Sequence, residues 1–206
     1  MTTELLTLTQ WLSPAFPLGS FAYSHGLETA ISDGQITDAA SLEAWLRVVL
    51  KQGSGWNDAV LLCAAQRGED VCQLARALAG SRERLEETNA QGKAFALTLR
   101  AIGPYIDDAP LPVAVGLACR SFKTEPQVIA GIYLQSFVSN LGQCAVRFVP
   151  LGQSDGQAVL SRLARDIAET AECASQASIE ELGTGAFFSD LSAMRHEAQE
   201  ARVFKT

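Results

Sequence analysis

Few residues in this chain have the types and spacing that chemistry requires, and the two histidines come first among them. The 206-residue sequence contains only His25 and His196. Ser24 precedes His25, which suggests a nucleophile and its base, with Asp33 or Asp58 as the orienting acid. Neighbouring residues on a helix point about 100° apart, so the pair cannot form the required hydrogen bond directly. We therefore expect a polar pair at a helix surface or an interface.

The sequence supplies few ligands for metals or nucleotides. A site with three histidine ligands would need a second chain, because one chain has two. His196-Glu197 lacks a second histidine four residues on, so it is not a zinc-protease helix, and no GxxxxGK[ST] loop is present. We expect no cofactor and no tight metal site within one chain. A weak site shared across a dimer, through His25 or a cysteine, is the alternative.

The cysteines indicate a reducing environment. Their number is odd and no two have CxxC spacing; they are Cys63, Cys72, Cys119, Cys144 and Cys173. Most lie in apolar or alanine-rich stretches, so we interpret them as reduced, buried thiols of a cytoplasmic protein. The first residues, MTTELLTL, show no basic region before an apolar run, which argues against a signal peptide.

Charge and composition narrow the range of partners. Lys and Arg total 16 against 23 Asp and Glu, which gives a net charge of −7 at pH 7. Such a chain would be repelled by nucleic acid and by anionic membranes. No stretch approaches the roughly 20 apolar residues that span a bilayer. We expect the adjacent acids Glu86-Glu87 and Asp107-Asp108 to be solvated.

The spacing of apolar residues is helical almost throughout, which predicts an all-α fold in a single domain, residues 1–206. The longest apolar pattern covers 124–149 and starts at Thr124-Glu125-Pro126, an N-cap followed by a first-turn proline. We expect it to be the central helix of a bundle of roughly eight to ten helices, with Phe137 in the core. Further helices are predicted over Leu5–Leu12, Phe21–Ser32, Leu42–Leu50, Trp56–Gln66, Val71–Ala79, Leu85–Ile102, Val113–Phe122 and a long segment after Ser154-Asp155.

The two ends of the chain do not fit a simple bundle. The N-terminal segment, 1–20, contains a rigid turn of prolines and glycine at 13–20. The C-terminal tail, 190–206, mixes charged and apolar residues and is too polar to bury much on its own. We therefore predict that Phe204 is exposed and that the tail is mobile until a partner orders it. Aromatic and arginine side chains like those of the tail dominate interface energetics. The alternatives are a terminal helix folded back on its own domain and simple disorder.

Three stretches together resemble one known family. Residues 13–28, SPAFPLGSFAYSHGLE, match the SPxxPxGxxxxSxGLE signature of the urease accessory protein family UreF. Residues 195–206, RHEAQEARVFKT, resemble that family's RHExQxxRxFRS ending, with Lys205-Thr206 in place of Arg-Ser. Residues 150–157, PLGQSDGQ, match its PLGQxxGQ segment.

The resemblance implies a role without catalysis. UreF-like proteins are all-α homodimers of the cytoplasm that join a second accessory protein, UreD (also called UreH), and the GTPase UreG to deliver nickel to apo-urease. It also implies which residues contact partners: Pro17, Gly19, Tyr23, His25, Glu28, Arg195, His196, Glu197, Arg202, Phe204 and Lys205. Two alternatives stay open: a GTPase-activating protein that acts on UreG, and a small all-α hydrolase that uses Ser24 and His25.

Overall fold

A computed structural model describes residues 2–205, which form ten α-helices and two short 3₁₀ turns, with no strand among them. The all-α prediction is confirmed. The helices are α1 Thr3–Trp11, α2 Leu27–Ser32, α3 Ala39–Gln52, α4 Ser54–Arg67, α5 Cys72–Ala77, α6 Arg82–Ile102, α7 Leu111–Ala118, α8 Pro126–Val146, α9 Gln153–Gln176 and α10 Phe187–His196. The 3₁₀ turns cover Ser20–Ala22 and Ile179–Glu181. Within 2–205, no helix is both long and apolar enough to cross a membrane.

Short polar motifs explain where several helices begin. Asp38 and Ser41 cap α3 reciprocally: Ser41 N donates to the Asp38 carboxylate at 2.8 Å, and Asp38 N donates to Ser41 Oγ at 3.1 Å. Pro126 lies in the first turn of α8, as predicted. Thr124 is not the N-cap, however, because it lies one residue earlier and donates its hydroxyl to Glu4 at 2.7 Å. This contact ties the start of α8 to α1.

Helix α8 packs against α9, α4, α3 and α2. Its buried side chains include Ile129, Tyr133, Leu134, Val138 and Leu141. The buried side chains of α9 include Leu160, Leu163, Ile167 and Ala171. Phe137 differs from the prediction, since it is half-buried, with its ring edge-on to His25 at a centroid distance of 5.0 Å. This phenylalanine therefore forms the boundary between the core and a groove described below.

The segment predicted as one helix over Phe21–Ser32 is broken in the structure. The chain leaves the first 3₁₀ turn, passes through His25 with φ +53° and Gly26 with φ +77°, and only then enters α2. A Cβ atom on Gly26 would lie 2.6 Å from Ala193 N, because α10 crosses there. The break thus lets the backbones of α2 and α10 approach closely, which a continuous helix with side chains would prevent.

Candidate partner-binding site

Two distant stretches of the chain meet at one buried histidine. His196 ends α10, and its side chain is fully buried between Glu28 of α2 and Glu83 of α6. His196 Nδ1 lies 2.8 Å from Glu83 Oε2, and Nε2 lies 3.2 Å from Glu28 Oε2. Both glutamate side chains are only 5% exposed. The N-terminal and C-terminal motifs are therefore joined by ionisable groups that water hardly reaches.

The same two glutamates hold the chain beyond α10. Arg202 Nη1 donates to Glu83 Oε1 at 2.5 Å. The backbone N–H groups of Val203 and Phe204 both donate to the Glu28 carboxylate at 2.9 Å. We call Glu28, Glu83, His196 and Arg202 the tail cluster. Its two carboxylates accept hydrogen bonds from both the side chains and the main chain of the tail, so they fix its path.

The end of the chain is packed against its own domain, and the prediction of an exposed Phe204 is wrong. Phe204 is 5% exposed, and its ring centroid lies 5.2 Å from that of Phe148. Lys205 N donates to Ala22 O at 2.7 Å. The tail can be buried because Glu28 satisfies backbone donors that would otherwise need water. The alternative, a tail folded back on its own domain, describes the structure better.

A second buried cluster surrounds His25. Its Nε2 lies 2.9 Å from the Glu87 carboxylate, and its Nδ1 lies 3.4 Å from Ser54 Oγ. Arg84 donates to Asp58 at 2.7 Å and also lies 3.4 Å from Glu87. Burial alone would raise the pKa of Glu87, but the charges of His25 and Arg84 outweigh it, and the pKa is lowered. Glu87 is therefore held as a buried carboxylate.

Tyr133 extends this second cluster from α8. Its hydroxyl donates to Asp58 at 2.7 Å. Burial, followed by the neighbouring Asp58 carboxylate, raises the pKa of Tyr133 well above its usual range, so the hydroxyl stays protonated and keeps donating. The cluster ties α4, α6 and α8 together beneath the turn that carries His25.

Two predictions about the polar residues near α2 need correction. Glu87 is buried rather than solvated, whereas Glu86, Asp107 and Asp108 are exposed as expected. Ser24 and His25 are both buried and precede α2, so they are not a pair on a helix surface.

The acids expected to orient His25 serve other groups. Asp33 accepts from Arg195 at 2.7 Å, and Asp58 accepts from Arg84 and Tyr133. His25 itself is directed at Glu87 and Ser54 through its two ring nitrogens. Neither Asp33 nor Asp58 is therefore available to orient His25 as the base for Ser24.

The N-terminal turn forms one wall of a groove of about 680 Å³, and α8 forms the other. Pro17 is exposed at its rim, and Gly19 has φ +73°, a left-handed conformation that suits glycine. Tyr23 is buried, and its carbonyl accepts a hydrogen bond from the Cys144 thiol at 3.3 Å. His25 and Glu87 lie at the floor of the groove. Of the predicted N-terminal residues, Pro17 is thus accessible, and Tyr23, His25 and Glu28 are not.

Helix α10 presents four large apolar side chains to the outside, which is many for a helix of ten residues. We call this set the outer face of α10: Phe187 is 72% exposed, Phe188 75%, Leu191 51% and Met194 51%. Phe187, Leu191 and Met194 follow i, i+4, i+7 and so lie along one side of the helix. Exposed apolar surface of this kind marks interaction sites on monomers.

The charged residues of the tail divide between buried and exposed positions. Arg195 is 54% exposed and bound to Asp33, and Arg202 is 39% exposed and bound to Glu83. Glu197 is half-buried and accepts from the backbone N–H of Arg82 at 2.8 Å, while Lys205 is exposed. His196 is fully buried. The accessible tail residues are therefore Arg195, Arg202 and Lys205.

Three residues of these clusters were not predicted as site residues from the sequence: Glu83, Arg84 and Glu87. The sequence nevertheless contained a signal for two of them. Glu83 and Glu87 lie on the same i, i+4 row of α6 as Phe95 and Leu99, and that row faces the protein core. Two acids on a buried row predict buried partners of opposite charge. The partners, His25 and His196, lie 62 and 113 residues away from them in sequence, so their pairing could not be read from spacing.

The cysteines are free within the described residues. Cys63, Cys119 and Cys144 are buried, as predicted, and burial raises their pKa values to about 11, 12 and 12. Cys173 differs from the prediction because it is exposed. Across residues 2–205, no three histidine, cysteine or acidic side chains gather with the geometry of a metal site.

Comparison with known proteins finds relatives that match along the whole chain. The family profile for UreF matches residues 36–164. A urease accessory protein UreF from Cereibacter sphaeroides is 51% identical, and the alignment covers all of both chains. The chain belongs to the UreF family. Related UreF proteins from Jannaschia (48% identical) and Brucella anthropi (UreF 1, 43% identical) are matched over all of this chain and over 96% and 95% of theirs.

Proposed function

We propose that this UreF-family chain is an assembly factor without catalytic activity of its own. It acts in the cytoplasm as a homodimer, and it bridges a UreD/UreH-like accessory protein and a UreG-like GTPase to deliver nickel to apo-urease. Relatives that match over 96–100% of their length carry the name urease accessory protein, which supports the urease connection. The partners do not include nucleic acid or a membrane. Residues 1–206 work as one unit whose tail, 190–206, contacts a partner.

The observation that carries this proposal is the division of the tail between anchored and accessible residues. His196, Phe204 and Glu28 are buried, so their part in binding is to fix the shape of the surface. The outer face of α10 supplies exposed apolar area, and Arg195, Arg202 and Lys205 supply accessible positive charge on the same tail segment. Apolar centres rimmed by arginine and lysine are typical of protein interfaces. We assign this surface to the UreD/UreH-like protein.

The hydrolase alternative is less favoured because the groups it needs are engaged elsewhere. His25 faces Glu87 and Ser54, while the two candidate orienting acids are bound to arginines. A role as a GTPase-activating protein would need a free arginine. Arg195 and Arg202 each donate to an acid of their own chain, at 2.7 and 2.5 Å, so either would first have to leave that acid. A bridging role requires no such rearrangement.

Co-purification tests the assignment directly. Phe187→Asp places a charge in the outer face of α10, and we expect it to lower recovery of the UreD/UreH-like protein at least tenfold, since one desolvated charge costs several kcal/mol. Leu97→Asp is the control, because Leu97 is 63% exposed on α6, away from the tail. Both variants should keep the wild-type circular dichroism spectrum. Normal recovery with Phe187→Asp would contradict the assignment.

A further inference from the structure

The contacts of the tail cluster constrain how many protons the His196 ring carries. His196 has a carboxylate oxygen against each ring nitrogen, at 2.8 Å for Nδ1 and 3.2 Å for Nε2. A neutral imidazole carries one N–H and one acceptor nitrogen, and an ionised carboxylate only accepts. A neutral ring would therefore face one of the carboxylates with a lone pair. Only a ring with both nitrogens protonated can donate to Glu28 and Glu83 at once.

The formal charges of the cluster call for one bound proton, and because imidazole is a stronger base than a carboxylate, that proton belongs on the ring of His196. Glu28 and Glu83 contribute two negative charges, Arg202 one positive charge and a protonated His196 the second, so the cluster is neutral. Without that proton, a net negative charge would stand among side chains that are 0–5% exposed, apart from Arg202 at 39%. Burial of an uncompensated charge is costly. The other charged side chains nearby form ion pairs of their own, Arg82 with Glu197 and Arg195 with Asp33, so they do not change the charge balance of the cluster.

We propose that His196 is held as the imidazolium and that this buried positive charge latches the tail onto α2 and α6. Its proton keeps Glu28 and Glu83 together. Glu28 in turn accepts the backbone N–H groups of Val203 and Phe204, and Glu83 accepts Arg202. Loss of the proton leaves two facing carboxylates that repel, so rising pH releases the tail from the body. The latch gives the partner-binding surface of the tail two states, one held on the body and one released from it. The effect on partner binding rests on the proposed function, whereas the protonation of His196 does not.

Nitrogen NMR of the full-length wild-type chain with ¹⁵N-labelled histidine tests the protonation state of His196. Only two histidines contribute signals, and a His196→Gln sample identifies which set belongs to His196. At pH 7 we expect both ring nitrogens of His196 to show a directly bonded proton. A His196 ring with one unprotonated nitrogen at pH 7 would overturn the proposal. This result does not depend on whether the chain binds any partner.

Hydrogen exchange across a pH series tests the latch. The amides of Val203 and Phe204 should lose at least tenfold in protection factor over the same pH range in which the His196 signals report loss of the proton. Protection that stays constant through that range would contradict the latch. The Glu28→Gln variant should give the low protection already at pH 7. Arg195→Gln, which breaks the exposed pair with Asp33, is the matched control and should leave the protection of both amides unchanged.

Discussion

At the scale of single residues, the molecule depends on Gly26. Its φ of +77° costs about 1–2 kcal/mol for a residue with a side chain, and a Cβ there would lie 2.6 Å from Ala193 N. Gly26→Ala should therefore destabilise by about 3 kcal/mol or more, once the steric cost of overpacking is added. Urea denaturation measures this. Gly34→Ala is the control, because Gly34 has a similar φ of +72° with open space around it, and it should lose only about 1–2 kcal/mol. Equal losses would show that α10 does not press on Gly26.

Glu87 is the residue through which acid should weaken the fold. Its pKa is lowered in the folded state, despite burial, by His25 and Arg84. A group with a lowered folded pKa stabilises the protein above its unfolded pKa, about 4.3 for glutamate, and this contribution is lost as pH falls through the folded value. Urea midpoints between pH 3 and pH 7 should therefore drop below about pH 4. Glu87→Gln should flatten that drop, and Glu86→Gln, at an exposed neighbouring position, should leave it intact. A wild-type slope in Glu87→Gln would contradict this role.

At the scale of helices and segments, the tail behaves as part of the body. Deletion of residues 195–206 removes His196 and Arg202, which leaves Glu28 and Glu83 buried without their cationic partners. Removal of one partner of a buried ion pair costs about 3–5 kcal/mol, so the truncated chain should be destabilised by at least that amount. Thermal unfolding followed by circular dichroism measures the loss. Val203→Ser, at a side chain 72% exposed, should unfold like the wild type. A truncated chain with unchanged stability would restore the mobile tail that the sequence suggested.

Sequence periodicity predicted most of the helices because those helices have a regular apolar row and recognisable ends. Helix α3 illustrates this: its buried Leu42, Leu46, Val49 and Leu50 precede Gly53, where it ends. Periodicity failed where tertiary contacts override local pattern. The turn at His25-Gly26 exists because α10 crosses it, and Phe204 is buried because Glu28 receives its backbone N–H. The polar clusters escaped prediction for the same reason, since they join residues from both ends and the middle of the chain.

At the scale of the whole molecule, the chain should be a dimer in solution. The family resemblance leads to this expectation, and the exposed apolar side chains of Phe21, Ile102 and Tyr105, which lie outside the outer face of α10, supply apolar surface for it. An obligate interface would bury about 2,000 Å² or more. Light scattering at micromolar concentration should give twice the chain mass of 22.0 kDa. A mass of one chain would contradict the dimer.

The central claim, that the chain serves nickel delivery to urease, is tested most directly by the metal content of urease itself. Urease would be purified from cells that lack this chain and from the same cells supplied with the wild type, Phe187→Asp or Leu97→Asp, and its nickel measured by elemental analysis. We predict nickel-poor urease without the chain and with Phe187→Asp, and nickel-loaded urease with the wild type and with Leu97→Asp. Urease that is fully loaded with nickel in cells lacking the chain would contradict the account.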